Sequence, residues 1–415
     1  MAAFVTAAVC IGQSPAISSG DGVKKCFKHE ARLRPEKSVP SGFSQSLFVG
    51  KKVSSFMSSK TDSQRAFEPI VIRADATEGR KLKVGLIGAG RIGQVHGETI
   101  MYRVPEAELA ILADPFGDAA ANLSKKIGVK GIKDYKEILA DKSIEAVLIC
   151  SPSDTHATLI KEAALAGKHI FCEKPISLDL KIIDECLEAV EKSGVKFFLA
   201  FQRRFDPNFK RLHDAVVNGE VGDVIHVHTT SRDPNPPPIA YVKQSGGIFM
   251  DMAIHDFDML RYLTLSDPVE VFAKASVRID PAIGEAGDYD TAMTMVKFAN
   301  GAVGTVDNCR KATYGYDQRA EVFGSKAAIN INNNTANNMS VWGADGIKGQ
   351  KPLDFFMDRY IDAYQAEVKA FVDSVVNDTP VATTGLDGRM AALTALAAKK
   401  SVAENRPVAI SEVDV

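Results

Sequence analysis

Lys83-Val84-Gly85-Leu86-Ile87-Gly88-Ala89-Gly90-Arg91-Ile92-Gly93 is where the fold of this chain is decided. A short apolar run of strand length ends on G-x-G-x-x-G and opens into a helical pattern. The three glycines alone mean little. At a glycine frequency of about 7%, roughly one chain in seven of this length would carry them by accident. Their place between a strand and a helix gives them meaning. There the glycines allow a tight turn, a close approach of pyrophosphate and close helix–strand packing, with phosphate resting on the helix N-terminus.

Outward from this stretch, apolar runs at 109–113, 145–150, 169–172 and 195–200 alternate with helical patterns at 156–167 and 178–193. Continuous apolar strands separated by helices predict a parallel sheet covered on both faces. The first half is therefore read as an α/β Rossmann domain, a doubly wound parallel sheet. Beyond residue 202 the pattern changes. Helices are expected near 208–218 and 247–264, and strands at 223–230, 269–279, 289–299 and 302–309. The last two are joined by Ala299-Asn300-Gly301, a hairpin signal. Helices near 355–376 and 386–404 close the chain. This half is read as an α+β domain with a large, mainly antiparallel sheet. The expected organisation is a disordered leader over 1–74, a dinucleotide-binding domain over 80–201, and a substrate-binding and oligomerisation domain over 202–415.

The leader is set apart by its charge. Residues 1–73 hold eleven Lys/Arg against five Asp/Glu, although the whole chain carries a net charge of only −2. The stretch is also rich in serine and has no apolar core behind a basic start. That composition is expected of an organelle transit peptide rather than a secretory signal. A chloroplast address is expected, with the mitochondrion or cytoplasm as alternatives. Nothing in the overall charge points to nucleic acid, and no apolar run approaches the roughly 20 residues of a membrane span. The six cysteines (10, 26, 150, 172, 186, 309) form no CxxC and no metal-ligand spacing, so no metal is expected. Cys150 and Cys172 are expected to be buried thiols.

Candidate cofactor residues follow from the topology. Gly88, Ala89, Gly90, Arg91, Ile92 and Gly93 form the phosphate turn. Asp114 ends the second strand, 21 residues past Gly93, where a carboxylate meets the adenine-ribose hydroxyls. Pro115-Phe116 follow, with no Arg to receive a 2′-phosphate, so NAD is favoured over NADP. Ser151-Pro152 with His156, and Glu173-Lys174-Pro175, follow strands whose carboxyl ends should border the ligand. In the second half Asp251 and His255 are i and i+4 on the expected helix and should share a face. A carboxylate beside the imidazole would fix its tautomer and raise its pKa, which suits a base taking a proton from an alcohol. His226 and His228 alternate along a strand and are read as sheet positions, while His213 belongs to a surface helix.

Taken together, G-x-G-x-x-G, the Ser-Pro turn with His156, Glu173-Lys174-Pro175 and Asp251-x-x-x-His255 resemble the Gfo/Idh/MocA oxidoreductase family over about residues 81–415. Ser231-Arg232-Asp233-Pro234, Gly246-Gly247 and Asn308-Cys309-Arg310…Tyr314-Gly315-Tyr316-Asp317 most resemble its inositol-oxidising members. The resemblance implies NAD-dependent oxidation of a cyclic polyol, with myo-inositol giving scyllo-inosose. Lys174 would hydrogen-bond the reacting hydroxyl, and His255, oriented by Asp251, would take its proton. Gln202 and Arg203 would face both ligand and nicotinamide. Asp233 and Asp258 would accept from the other hydroxyls, and Tyr316 would point at the substrate ring. The Lys174–Pro175 bond is a candidate cis peptide, and a homo-oligomer, tetrameric in relatives, is implied. An NADP-dependent reductase of another sugar or aldehyde, or a non-catalytic dinucleotide sensor, are the competing readings.

Overall fold

The computed structural model describes residues 80–414; the leader expected over 1–74 lies outside them. The first sheet holds β1 (Leu82–Ile87), β2 (Ala107–Ala113), β3 (Lys130–Ile132), β4 (Ala146–Ile149), β5 (His169–Glu173) and β6 (Phe197–Ala200). Their order is β3-β2-β1-β4-β5-β6, with every pairing parallel. The connecting helices are α1 (Arg91–Arg103), α2 (Ala119–Ile127), α3 (Lys136–Ala140), α4 (Ser153–Leu165) and α5 (Leu180–Ser193). The strand apolar runs are buried throughout β4 and β6, as a sheet covered on both faces requires. Strand order reverses between β1 and β4, and in such sheets the ligand crevice opens there. The short edge strand β3, with α2 and α3, was not anticipated; Lys130-Gly131-Ile132 is too short and too exposed to leave an apolar signature.

The second sheet collects β7 (Val224–Arg232), β8 (Pro268–Ser276), β9 (Thr291–Phe298), β10 (Val303–Cys309), β11 (Asp317–Gly324), β12 (Ala328–Ile331) and, past a small ribbon of β13 (Val341–Gly343) and β14 (Gly346–Lys348), β15 (Val408–Ala409). The order is β12-β11-β7-β10-β9-β8-β15. Only β7 and β10 pair in parallel; the rest are antiparallel. The β9–β10 hairpin turns through Gly301 at φ +90. The helices of this half are α6 (Pro207–Val217), α7 (Ile239–Val242), α8 (Ile254–Thr264), α9 (Pro281–Glu285), α10 (Phe356–Arg359), α11 (Ile361–Val376) and α12 (Gly385–Glu404). Helices α8 and α12 cover one face of the sheet. The other face is open and carries Met293, Met295 and Phe323 exposed.

Two differences from expectation bear on the site. The single helix expected over 355–376 breaks at the buried Tyr360, and α11 packs on the first sheet. Val368, Phe371 and Val372 join the apolar cluster of Phe171 and Phe198, so the C-terminal half reaches back to brace the Rossmann half. The helix expected from 247 does not begin as an α-helix. Ile248–Met252 form one wide π turn closed by the Ala253 N–H on the Ile248 carbonyl at 2.8 Å, and α8 starts only at Ile254.

Candidate active site

The glycine turn is built to leave space. Gly88 sits at φ +98, and a Cβ there would lie 2.5 Å from the Ser151 nitrogen. A Cβ on Gly93 would lie 2.0 Å from the Gly88 carbonyl oxygen, so helix and strand touch at that point. Gly90, between them, has nothing within 4 Å of its would-be Cβ, and no side chain caps the start of α1. Open space in front of uncapped helix amides is a cradle for phosphate. Asp114 lies beside it: its Oδ2 accepts from the Ala89 N–H at 2.8 Å and its Oδ1 from the Phe116 N–H at 2.9 Å. Arg91 lies over the Phe355 ring, 5.5 Å from its centroid. The residues present fit a dinucleotide.

Two residues expected at the cofactor face inward instead. His156 is 1% exposed, and its ring nitrogens lie 2.7 Å from the Pro175 carbonyl and 2.9 Å from the Ser151 carbonyl. Burial lowers its pKa and favours the neutral ring, so its one N–H donates to one of these two carbonyls, and the buried ring sits between the turn after β4 and the turn after β5. Its place in the cofactor shell is corrected to a brace. Glu173 is the second: its carboxylate accepts from His96 Nε2 at 2.8 Å inside the fold. The Ser151 hydroxyl is paired with Thr155.

Between the halves, Lys174, on a cis Lys174–Pro175 peptide, donates to the Asp251 backbone carbonyl at 2.8 Å and lies 3.6 Å from its carboxylate. That carboxylate does not hold His255. Its Oδ1 accepts from the Tyr241 hydroxyl at 2.8 Å and its Oδ2 from Arg310 at 3.2 Å. The wide turn explains the departure: i,i+4 alignment assumes a regular α-helix, and Asp251 lies inside the π turn, a distortion common at functional sites. Neither nitrogen of His255 is hydrogen-bonded among the described residues, and Nδ1 is buried. Burial, then the charges of Lys174 and Arg203, push the imidazole well below its ordinary 6.5. The expected pairing of Asp251 with His255, and the expected rise in its pKa, are both corrected. Burial pushes Asp251 up, but Lys174, Arg310 and the Tyr241 hydroxyl together hold it below the ordinary carboxylate range.

Sequence reasoning missed the supports of this cluster. Arg310 is 1% exposed and bridges Asp251 to Asp288, 3.6 Å from its Nη2. Asp288 in turn accepts from the Ile248 N–H at 2.9 Å. A Cβ on Gly247, at φ +81, would fall 2.5 Å from the Asp288 carboxylate, which is why a glycine precedes the turn. Arg310 belongs to the Asn308-Cys309-Arg310 segment, in whose sequence it carried no role; Tyr241 and Asp288 carried no local signal.

The expected hydroxyl acceptors divide. Asp233 has no side-chain partner among the described residues, and burial raises it to about 6 despite the Arg310 charge. Tyr316 is buried with its ring edge-on to Tyr360. Gln202 is buried at the start of the turn after β6. Arg203 donates to Ser231 at 3.0 Å and to Asp256 at 2.8 Å, leaving Nε without a partner. Asp258 is 1% exposed and gripped through both oxygens by Arg204. It has no oxygen free for a substrate, and its expected role is corrected to that of a structural ion-pair partner.

Comparison with known proteins agrees with this geometry. Residues 82–201 match the oxidoreductase family with an NAD-binding Rossmann fold, and residues 209–330 match the GFO/IDH/MocA C-terminal domain. The chain is 46% identical over 333 residues to a myo-inositol 2-dehydrogenase of Thermotoga maritima, covering 80% of this chain and 99% of the relative. It is 44% identical over 330 residues to an inositol 2-dehydrogenase of Rhizobium meliloti, covering 80% and 99%. A scyllo-inositol dehydrogenase of Lactobacillus casei, solved with NAD(H) and scyllo-inositol bound, superimposes with a TM-score of 0.76 at 30% identity, covering 80% of this chain and 100% of that one.

Proposed function

The chain belongs to the Gfo/Idh/MocA oxidoreductase family, and from that premise we propose how its site oxidises an inositol. It is an NAD-dependent dehydrogenase acting on a CH–OH group, and the reading best supported is conversion of myo-inositol to scyllo-inosose. The observation that carries the assignment of roles is a convergence. In a chain whose glycine turn leaves a phosphate cradle open, the Lys174 ammonium lies close enough for its charge to reach two groups: an imidazole with no hydrogen-bond partner and a carboxylate with no side-chain partner among the described residues.

Gly88–Gly93 and Asp114 would hold the dinucleotide, and NAD, when bound, accepts the hydride. Lys174, kept in place by the Asp251 backbone carbonyl, donates a hydrogen bond to the reacting hydroxyl. His255 takes the hydroxyl proton. Its lowered pKa keeps it neutral, and so able to accept, through the neutral pH range. The resulting imidazolium stands near Lys174 and Arg203, whose charges oppose it. Asp233 binds a second hydroxyl, and Tyr316 and Gln202 line the remainder.

Two further readings belong with this proposal. The open face of the second sheet, with Met293, Met295 and Phe323 exposed, supports a homo-oligomer closed through that face. The basic, serine-rich, acid-poor composition of 1–73 supports a plastid address, which import of the full chain into isolated chloroplasts tests. Among the described residues no helix is long and apolar enough to cross a membrane. The reaction itself is tested by NADH formation from inositols, with glucose and NADP as the contrasting substrate and cofactor.

A further inference from the structure

Glu173, the neighbour of Lys174 in the chain, belongs to a second cluster of titratable groups for which the reaction has no direct use. His96 on α1, Glu173 at the end of β5 and Glu367 on α11 bring ligand-type atoms within 4.8 Å of one another. His96 and Glu367 are both 0% exposed, and the Glu173 side chain is 12% exposed. Aromatic groups surround them: His96 meets the edges of Phe171 and Tyr364, and Phe371 packs on Phe171. His96 Nε2 lies 2.8 Å from one oxygen of Glu173, while its Nδ1 has no partner. Both oxygens of Glu367 are buried with no hydrogen-bond partner.

Two carboxylates enclosed this closely, with no Lys or Arg paired to either, cannot both ionise, because like charges and lost hydration both oppose it. The geometry decides which keeps the proton. Glu173 already accepts the His96 N–H, which stabilises its charged form. Glu367 accepts nothing, so nothing offsets the cost of charging it. A protonated Glu367 also gives one of its two unpartnered oxygens a bond, since its O–H needs an acceptor and the Glu173 carboxylate lies within 4.8 Å. The other titratable groups around Glu367 are Tyr364 on its own helix and Cys150 at the end of β4. Burial pushes both up, so neither supplies or competes for charge. Burial and the Glu173 charge likewise push Glu367 well above the ordinary carboxylate range.

We propose that Glu367 is a positioning residue that acts as a neutral acid, donating a hydrogen bond through its O–H to the Glu173 carboxylate so that His96, Glu173 and Glu367 form one buried chain. The chain joins three elements that must keep register for hydride transfer. They are the cofactor helix α1, the strand end that carries Lys174, and α11 from the C-terminal half. Glu173, held from two sides, fixes the peptide that leads into Lys174. This rests on the reading of Lys174 as the group that meets the substrate hydroxyl.

The test compares Glu367→Gln, which keeps a donor without an ionisable proton, with Glu367→Met, which fills similar space without one. Infrared difference spectra of the full chain at neutral pH, parent minus E367Q, are expected to show loss of a protonated-carboxyl C=O band. Loss of carboxylate bands alone would overturn the proposal. This arm needs neither substrate nor turnover, so it stands even if the inositol reading fails. In turnover, E367Q is expected to keep kcat within about threefold of the parent. E367M is expected to lose tenfold or more in kcat while its NADH Kd, by fluorescence titration, moves less than threefold. E367Q as impaired as E367M, or E367M as active as the parent, contradicts the role. Elemental analysis is the last arm: stoichiometric divalent metal in the parent that is lost in E367Q would make the cluster a cation site and overturn the proton assignment.

Discussion

The π turn and the first half of helix α8 carry three aspartates and a histidine that look alike in sequence and differ completely in place. Asp256 and Asp258 point into the second sheet and its flank, where every oxygen is engaged. Asp256 accepts from Arg203, Ser231 and Asn308, and Asp258 from Arg204. Asp251 is turned to Tyr241 and Arg310, while the His255 imidazole has no partner and the Asp233 carboxylate has no side-chain partner among the described residues. A buried polar group without a partner is costly. The fold tolerates that cost on the side where a substrate would supply the missing bonds. In this stretch the aspartates of α8 are engaged on every oxygen, while His255 is left without a partner among the described residues.

The difference is sharpest when each side is broken separately. Replacing His255 or Lys174 by Ala is expected to lower kcat by about 10²–10⁴-fold, with Tm and NADH affinity nearly unchanged. Activity retained in either variant would remove the proposed proton path. On the satisfied side, Arg204→Met leaves Asp258 and Asp387 facing a lost cation and is expected to cost about 3–5 kcal/mol. Urea denaturation measures this, and the kcat of the folded fraction should stay close to parental. A normal stability with lost turnover would exchange the roles of the two sides.

Smaller effects refine the comparison. Asp233 titrates near about 6 in the folded chain against 3.8 for an ordinary Asp. The folded state therefore binds the proton more tightly, and stability falls as pH rises between those values. Asp233→Asn should raise stability by about 1–2 kcal/mol at pH 7–8, scaled down from the full shift because the side chain keeps some solvent contact. At pH 3.5 it should gain nothing. If the ionised form binds the hydroxyl, the acidic limb of kcat/KM lies near pH 6 and moves down in D233N, while KM rises. His255, with its lowered pKa, is already neutral above that range. An acidic limb unchanged in D233N would assign it elsewhere. The smallest change, Tyr241→Phe, removes one of the bonds on Asp251 and should cost about 1 kcal/mol in kcat/KM.

Much of this was legible in the sequence because it is local. Continuous apolar strands, the glycine turn, Asp114 and the Asn300-Gly301 hairpin each announce themselves within a few residues. The cluster of Lys174, Asp251 and His255 was also recoverable, because each stands at the end or start of an element. What was not legible is non-local or irregular. Asp258 reads as a polar helix position until Arg204, 54 residues away, is seen to grip it. His156 reads as a cofactor contact until the Pro175 carbonyl is found against its ring. The partnership of Asp251 with His255 failed because spacing presumes a regular helix, and the π turn leaves no mark in composition. Arg310, Asp288 and Glu367 come from three distant segments, and only the folded chain puts them behind the catalytic groups.

The most direct measurement is initial-rate NADH formation by the full chain with myo-inositol, scyllo-inositol and glucose, each with NAD and with NADP. The expected result is turnover of an inositol with NAD, and little with NADP because no cation follows Asp114 to meet a 2′-phosphate. Turnover confined to NADP or to glucose would contradict the substrate and cofactor assignment. NADH binding without turnover on any of the three would contradict the catalytic reading of Lys174 and His255 for these polyols.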